Sequence, residues 1–117
     1  CPAGWRVPST TDFFELERFL GGRTKAAGKL KQEGLTNWES PNEGATNMTG
    51  FTALPGGIRV SDGNYYQLGQ YGHWWTIVNS QDSLSKAFAL TLRYDYDYFD
   101  YSVIQKEFGL SVRCIKN

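Results

Sequence analysis

Residues 86–94, KAFALTLRY, decide the fold. Ala87, Ala89, Thr91 and Arg93 alternate with Phe88, Leu90, Leu92 and Tyr94, and this two-residue period gives a strand one bulky, apolar face. Residues 73–78, HWWTIV, predict a second strand, and residues 110–116, LSVRCIK, a third. Residues 57–60 run into Ser61, Asp62, Gly63 and Asn64, a turn signature, and then into Tyr65, Tyr66 and Leu68, which predicts a hairpin. Towards the N-terminus the period changes. Ser9, Thr10, Thr11 and Asp12 precede Phe13, Leu16, Phe19 and Leu20 at helical spacing, with Ser9 and Asp12 set as a capping pair and Gly21 and Gly22 as the stop. A second helix is predicted over 25–32, with Ala26, Ala27 and Leu30 inward and Lys25, Lys29 and Lys31 facing water. Residues 34–57, rich in Gly, Asn, Thr, Ser and Pro, read as a long ordered loop anchored by Trp38 and Phe51. The class that follows is α+β, two helices followed by a small, mostly antiparallel sheet with long ordered loops, as one domain over residues 1–117.

Twelve basic and twelve acidic side chains in 117 residues cancel, so the chain has no general attraction for nucleic acid or anionic lipid. No apolar run is long enough to span a bilayer, and a soluble, excised or processed domain without membrane insertion, monomeric in isolation, is expected. Cofactor and metal are not expected, because a structural zinc site needs four ligands and His73 is the only histidine. Cys1 and Cys114 are best read as a disulfide joining the termini, which implies an oxidising compartment. Two reduced buried thiols, or an acylated Cys1 of a lipoprotein, remain alternatives.

The motifs CPAGWRVPS, AAGKLK, WESPNEGATNMTGFTALPGGIR, LGQYGHWWT and FGLSVRC together resemble the Fibrobacter succinogenes major paralogous domain, over nearly the whole chain and with a cysteine at each end. That resemblance implies a secreted or cell-surface protein of Bacteroidetes or related bacteria, and a C-type-lectin-like fold in which the terminal strands pair. Two features of functional relatives are missing. The Glu-Pro-Asn and Trp-Asn-Asp elements of calcium-dependent sugar binding do not occur; Glu39, Asn42 and Glu43 surround Pro41 in the wrong order. The reactive cysteine pair of formylglycine-generating enzymes has no counterpart, since both cysteines sit at the ends.

Residues 94–101 are built from three residue types: Tyr94, Asp95, Tyr96, Asp97, Tyr98, Phe99, Asp100 and Tyr101. A core face of three tyrosines would be unusual, so the segment reads as an exposed strand end or loop, locally acidic and suited to ligand contact, because tyrosine offers large area at low entropic cost. Residues 94–104 contain only amino acids reachable from an asparagine codon by changing its adenines, and residues 76–80 meet the same condition. The pattern resembles the variable region of a diversity-generating retroelement protein. On that resemblance Val78, Asn79, Tyr94, Asp95, Tyr96, Asp97, Tyr98, Phe99, Asp100 and Tyr101 contact an external protein or glycan. The alternative is a fixed-sequence structural or glycan-binding module of a surface lipoprotein. Replacing Tyr96, Tyr98 and Tyr101 by Ala is expected to leave stability nearly unchanged. An enzyme is not expected: His73 beside Trp74 and Trp75 reads as packed, the exposed aspartates lack the burial that separates carboxylate pKa values, and no nucleophile triad or phosphate loop occurs. Trp5, Phe13, Phe19, Trp38, Phe51, Trp74, Trp75, Phe88 and Phe108 are assigned to building the fold.

Overall fold

Apart from one two-residue strand at the N-terminus, helices precede the strands, as the periodicity implies. A computed structural model describes residues 1–77 and 85–117. Along the chain run β1 (Trp5–Arg6), α1 (Thr10–Phe19), α2 (Arg23–Leu30), β2 (Ile58–Arg59), β3 (Tyr65–Tyr66), β4 (Tyr71–Trp75), β5 (Lys86–Arg93), β6 (Asp100–Gln105) and β7 (Ile115–Lys116). The described strands form three antiparallel sheets, β1–β7, β2–β3 and β4–β5–β6. The class is therefore α+β.

Helix α1 starts where the capping pair places it. The Ser9 hydroxyl accepts from the Asp12 amide at 3.1 Å, and Asp12 Oδ2 accepts from the Ser9 amide at 2.6 Å, an arrangement worth about 1 kcal/mol. Arg6 donates twice to the same carboxylate at 2.6 and 2.8 Å, which holds the Asp12 carboxyl well below the usual carboxylate range. Helix α2 begins two residues earlier than predicted, and its Ala26, Ala27 and Leu30 are buried. Gly28 lies against the backbone of Gly44, and a Cβ on it would overlap the Gly44 carbonyl.

The last carbonyls of α2 organise the long loop. The Gly28 carbonyl accepts from the Thr46 amide at 2.8 Å, Lys29 from Thr49 at 3.2 Å and Leu30 from Ala53 at 2.8 Å. Trp38 Nε1 donates to the Ala53 carbonyl at 2.9 Å, and its ring is buried. Residues 34–57 thus supply the cap that the helix end requires.

Strand β5 is central and buried on both faces, where the alternation implied one apolar face. Trp74, Leu90 and Tyr101 share the side that packs with Phe13, Leu20, Leu30 and Trp38. His73, Thr91 and Ser102 lie on the other side in a hydrogen-bonded row, and Ala89 and Thr91 are buried there too. The division of aromatic residues also changes. Phe19, assigned to the fold, is 87% exposed, and Trp5 and Phe88 are exposed as well, whereas Phe99 is 0% exposed and belongs to the core.

Cys1 and Cys114 are disulfide-bonded, with Cα atoms 5.7 Å apart beside the β1–β7 pair. The bridge spans a sequence separation of 113, and closing so long a loop restricts the unfolded chain enough to contribute about 4 kcal/mol. Non-reducing intact-mass analysis is expected to show the two-proton deficit, and Cys1→Ser with Cys114→Ser to lower unfolding free energy by about that amount. Two free thiols in the native protein would contradict the pairing.

Candidate functional site

The chain leaves β5 at Arg93, turns through residues 94–99 and returns as β6, so the tyrosine–aspartate segment is a hairpin loop continued into a strand. Lys31 lies beneath it. Predicted to face water, this side chain is fully buried just past the end of α2. Its Nζ donates to the carbonyls of Glu43 at 2.6 Å, Arg93 at 2.9 Å and Tyr96 at 3.2 Å, and it lies 5.7 Å from the Trp38 ring centroid. Burial lowers its pKa to about 8, opposed by attraction to Asp97, Glu43 and Asp95. At neutral pH the ammonium remains charged and ties two loops to α2.

The loop residues divide into supports and surface. Phe99 fills the core, its amide donating to the Arg23 carbonyl at 3.1 Å and its carbonyl accepting from Arg23 Nε at 2.9 Å. It offers nothing to a ligand, contrary to its assignment as a contact. Asp97 accepts from the Gly28 amide and packs against Gly44, and desolvation raises its pKa. Tyr94 and Tyr101 are half-buried against the core. Tyr101 donates its hydroxyl to Glu17 at 3.2 Å, and its ring lies 4.8 Å from that of Phe14. Replacing Tyr101 by Ala therefore carries a packing cost that the sequence reading did not assign. Val78 and Asn79 lie outside the described residues.

The surface consists of Asp95, Tyr96 and Tyr98, with Arg93 and Tyr71. Tyr98, 42% exposed, stacks on Tyr96 with ring centroids 4.3 Å apart. Tyr96 lies over the Arg93 guanidinium at 4.3 Å, and Arg93 over Tyr71 at 5.0 Å. Tyr71 stacks on His73 at 5.6 Å. Five planar groups thus run from loop tip to buried sheet. The acidic character expected here does not arise. Asp95 receives two hydrogen bonds from Arg93, at 2.9 and 2.6 Å, Asp100 pairs with Arg23 at 3.3 Å, and Asp97 feels Lys31. Sequence reading missed Tyr71, Arg93 and Lys31; the register Tyr71↔Arg93 is what joins the first two.

The Fibrobacter succinogenes major domain model matches residues 1–116. The chain belongs to that family. Neither a curated protein nor a solved structure matches it. In this family member a groove of about 580 Å3 runs along α1 past Phe13, Leu16 and Phe19 to Arg113 and does not involve the tyrosine–aspartate loop. Among the described residues no three His, Cys, Asp or Glu side chains gather as a metal site, and no helix is long and apolar enough to cross a membrane.

His73 ends the stack inside the domain. Its Nε2 lies 2.9 Å from Gln67 Oε1 and its Nδ1 2.9 Å from Thr91 Oγ1, which itself lies 3.0 Å from Ser102 Oγ. With the Gln67 carbonyl oxygen accepting from Nε2–H, Nδ1 accepts from the Thr91 hydroxyl, and this neutral tautomer satisfies both ring nitrogens. Burial lowers the His73 pKa to about 4 from the ordinary 6.5. The unfolded chain therefore binds a proton between those values that the folded chain does not. This contribution is complete above pH 6.5 and is lost as pH falls through about 4, a change of about 3 kcal/mol. Chemical denaturation at pH 7 and pH 4 is expected to show that loss, shallower in His73→Gln, and the imidazole NMR signals to titrate below pH 5. A midpoint near 6.5 would contradict the buried neutral ring.

Proposed function

We propose that the chain is a non-enzymatic ligand-binding module of a secreted or cell-surface bacterial protein, with a C-type-lectin-like fold, binding an external protein or glycan. The observation that carries this reading is the stack Tyr98, Tyr96, Arg93, Tyr71 and His73. It presents two aromatic rings already held in place, and rigid tyrosines contribute contact area with little further loss of entropy. The Cys1–Cys114 bridge supports an oxidising, extracytoplasmic setting. Asp95, Tyr96 and Tyr98, with Arg93 and Tyr71, form the contact surface, while Phe99, Asp97, Tyr94 and Tyr101 hold its shape.

A second reading, favoured by the codon-reachable composition of residues 94–104, is that the loop is diversified by a retroelement. Burial limits how far that can extend. Phe99 and Ile104 are core residues and Asp97 binds the backbone of α2, so free variation there would cost packing, whereas Asp95, Tyr96, Tyr98 and Val103 can vary cheaply. Diversification requires a near-repeat of this region beside a reverse transcriptase gene, differing only at adenines; its absence leaves the fixed-sequence module.

Tyr96→Ala with Tyr98→Ala is expected to change unfolding free energy by less than about 1.5 kcal/mol, while Tyr101→Ala costs about 3 kcal/mol. On a panel of immobilised polysaccharides and proteins, the double variant is expected to bind each ligand of the wild-type domain at least tenfold more weakly. Retained binding, or a wild type that binds no more than a heat-denatured control, would contradict the reading.

A further inference from the structure

A second concave feature borders the tyrosine surface. Residues 36, 37, 39, 54–56 and 68–69 enclose a groove of about 530 Å3 lined by the side chains of Thr36, Asn37, Glu39, Leu54, Pro55 and Leu68. Backbone bonds hold its three walls together: the Glu39 amide donates to the Gly69 carbonyl at 2.9 Å, and the Gly69 amide to the Pro55 carbonyl at 3.0 Å. Leu54 and Leu68 are exposed along it, Leu68 at 75%. The volume falls within the usual range of small-ligand sites.

Among the polar groups of this groove, two side-chain oxygens are open acceptors. Glu39 Oε2 accepts from Gln70 Nε2 at 3.0 Å, and Oε1 has no hydrogen-bond partner among the described residues. Asn37 donates from Nδ2 to Gln32 Oε1 at 2.7 Å, and its Oδ1 has no hydrogen-bond partner among the described residues. No described lysine or arginine pairs with Glu39, although Asp12, Asp95 and Asp100 each have an arginine partner. The groove therefore joins an unpaired carboxylate to apolar walls, which complements a cation carried on a methylene stem. No aromatic ring lines it, so a sugar ring would find no stacking face there. Gln70 links it to the tyrosine surface, because its carbonyl accepts from the Tyr94 amide at 3.0 Å.

We propose that this groove takes an arginine or lysine side chain of a peptide or protein ligand, its stem along Leu54 and Leu68 and its cation at Glu39. The proposal rests on the ligand-binding reading above and specifies a protein as the ligand. The exposure of Glu39 keeps a single contact weak, so millimolar binding of an isolated residue is expected.

The test is a 15N NMR titration of the domain with acetyl-Gly-Arg-Gly-amide, with its isosteric neutral citrulline analogue, and with methyl glucoside. The arginine peptide is expected to shift the amides of Asn37, Glu39, Gly56 and Gly69. The citrulline peptide should bind about three- to fivefold more weakly, as should the arginine peptide to Glu39→Gln, whose spectrum elsewhere stays that of the folded wild type. Tyr96→Ala with Tyr98→Ala should leave these shifts intact, which separates the groove from the tyrosine surface. Equal response to arginine and citrulline, no shift at these amides, or a response to methyl glucoside alone would overturn the proposal. Shifts confined to residues 95–98 would overturn it while leaving the tyrosine surface standing.

Discussion

A buried ammonium holds the two long loops of this domain in place. Lys31 emerges just beyond α2 and meets three backbone carbonyls, one from the loop before the sheet and two from the β5–β6 hairpin. Hydrogen bonds from a charged donor in a desolvated site are among the stronger polar interactions of a folded chain, and breaking one side leaves the other without a partner. Desolvation opposes the charge and pulls the lysine pKa down to about 8. Attraction to Asp97, Glu43 and Asp95 offsets part of that cost, so these acidic residues serve the anchor before any ligand.

With the hairpin fixed from below, its aromatic side chains have few places to go. Phe99 turns inward, Tyr101 faces α1, and Tyr96 and Tyr98 stack outward over an arginine already held by Asp95. The exposed rings are thereby ordered without contributing to the core. A surface made this way loses little entropy on binding, which is the physical basis of the functional proposal. Neutralisation of the aspartates by Arg93, Arg23 and Lys31 gives this face shape and hydrogen-bonding character rather than net charge. Glu39 nearby has no arginine or lysine partner among the described residues and sits beside apolar groove walls, which is why a basic ligand group is assigned to that groove.

Local signals in the sequence were read correctly where local chemistry decides the outcome. The Ser9–Asp12 cap, the turn at Asp62–Asn64 and the existence of a strand over residues 86–93 each depend on neighbours a few positions away. Cys1 and Cys114 could be paired because terminal strands of compact domains meet. The misread residues depend on partners remote in sequence. Lys31 sits in a basic run that looks solvated, and only carbonyls 12, 62 and 65 positions away turn it inward. Phe99 lies in a stretch of tyrosine and aspartate that resembles a surface loop, yet a pair of hydrogen bonds to Arg23, 76 positions back, seats it in the core. Phe19 fits the helical stripe of α1 but falls at its last turn, where none of the described residues covers it.

Amide hydrogen exchange of the wild type and of Lys31→Met, followed residue by residue under native conditions, bears most directly on this account. The amides of Glu43, Tyr94 and Phe99 bond to Tyr94, Gln70 and Arg23 across the anchored loops. In the variant they should lose at least tenfold more protection than the amides of Leu90 and Leu92 in β5. Equal loss at all five positions, or unchanged protection at the loop amides, would show that the hairpin is held by something other than the buried ammonium.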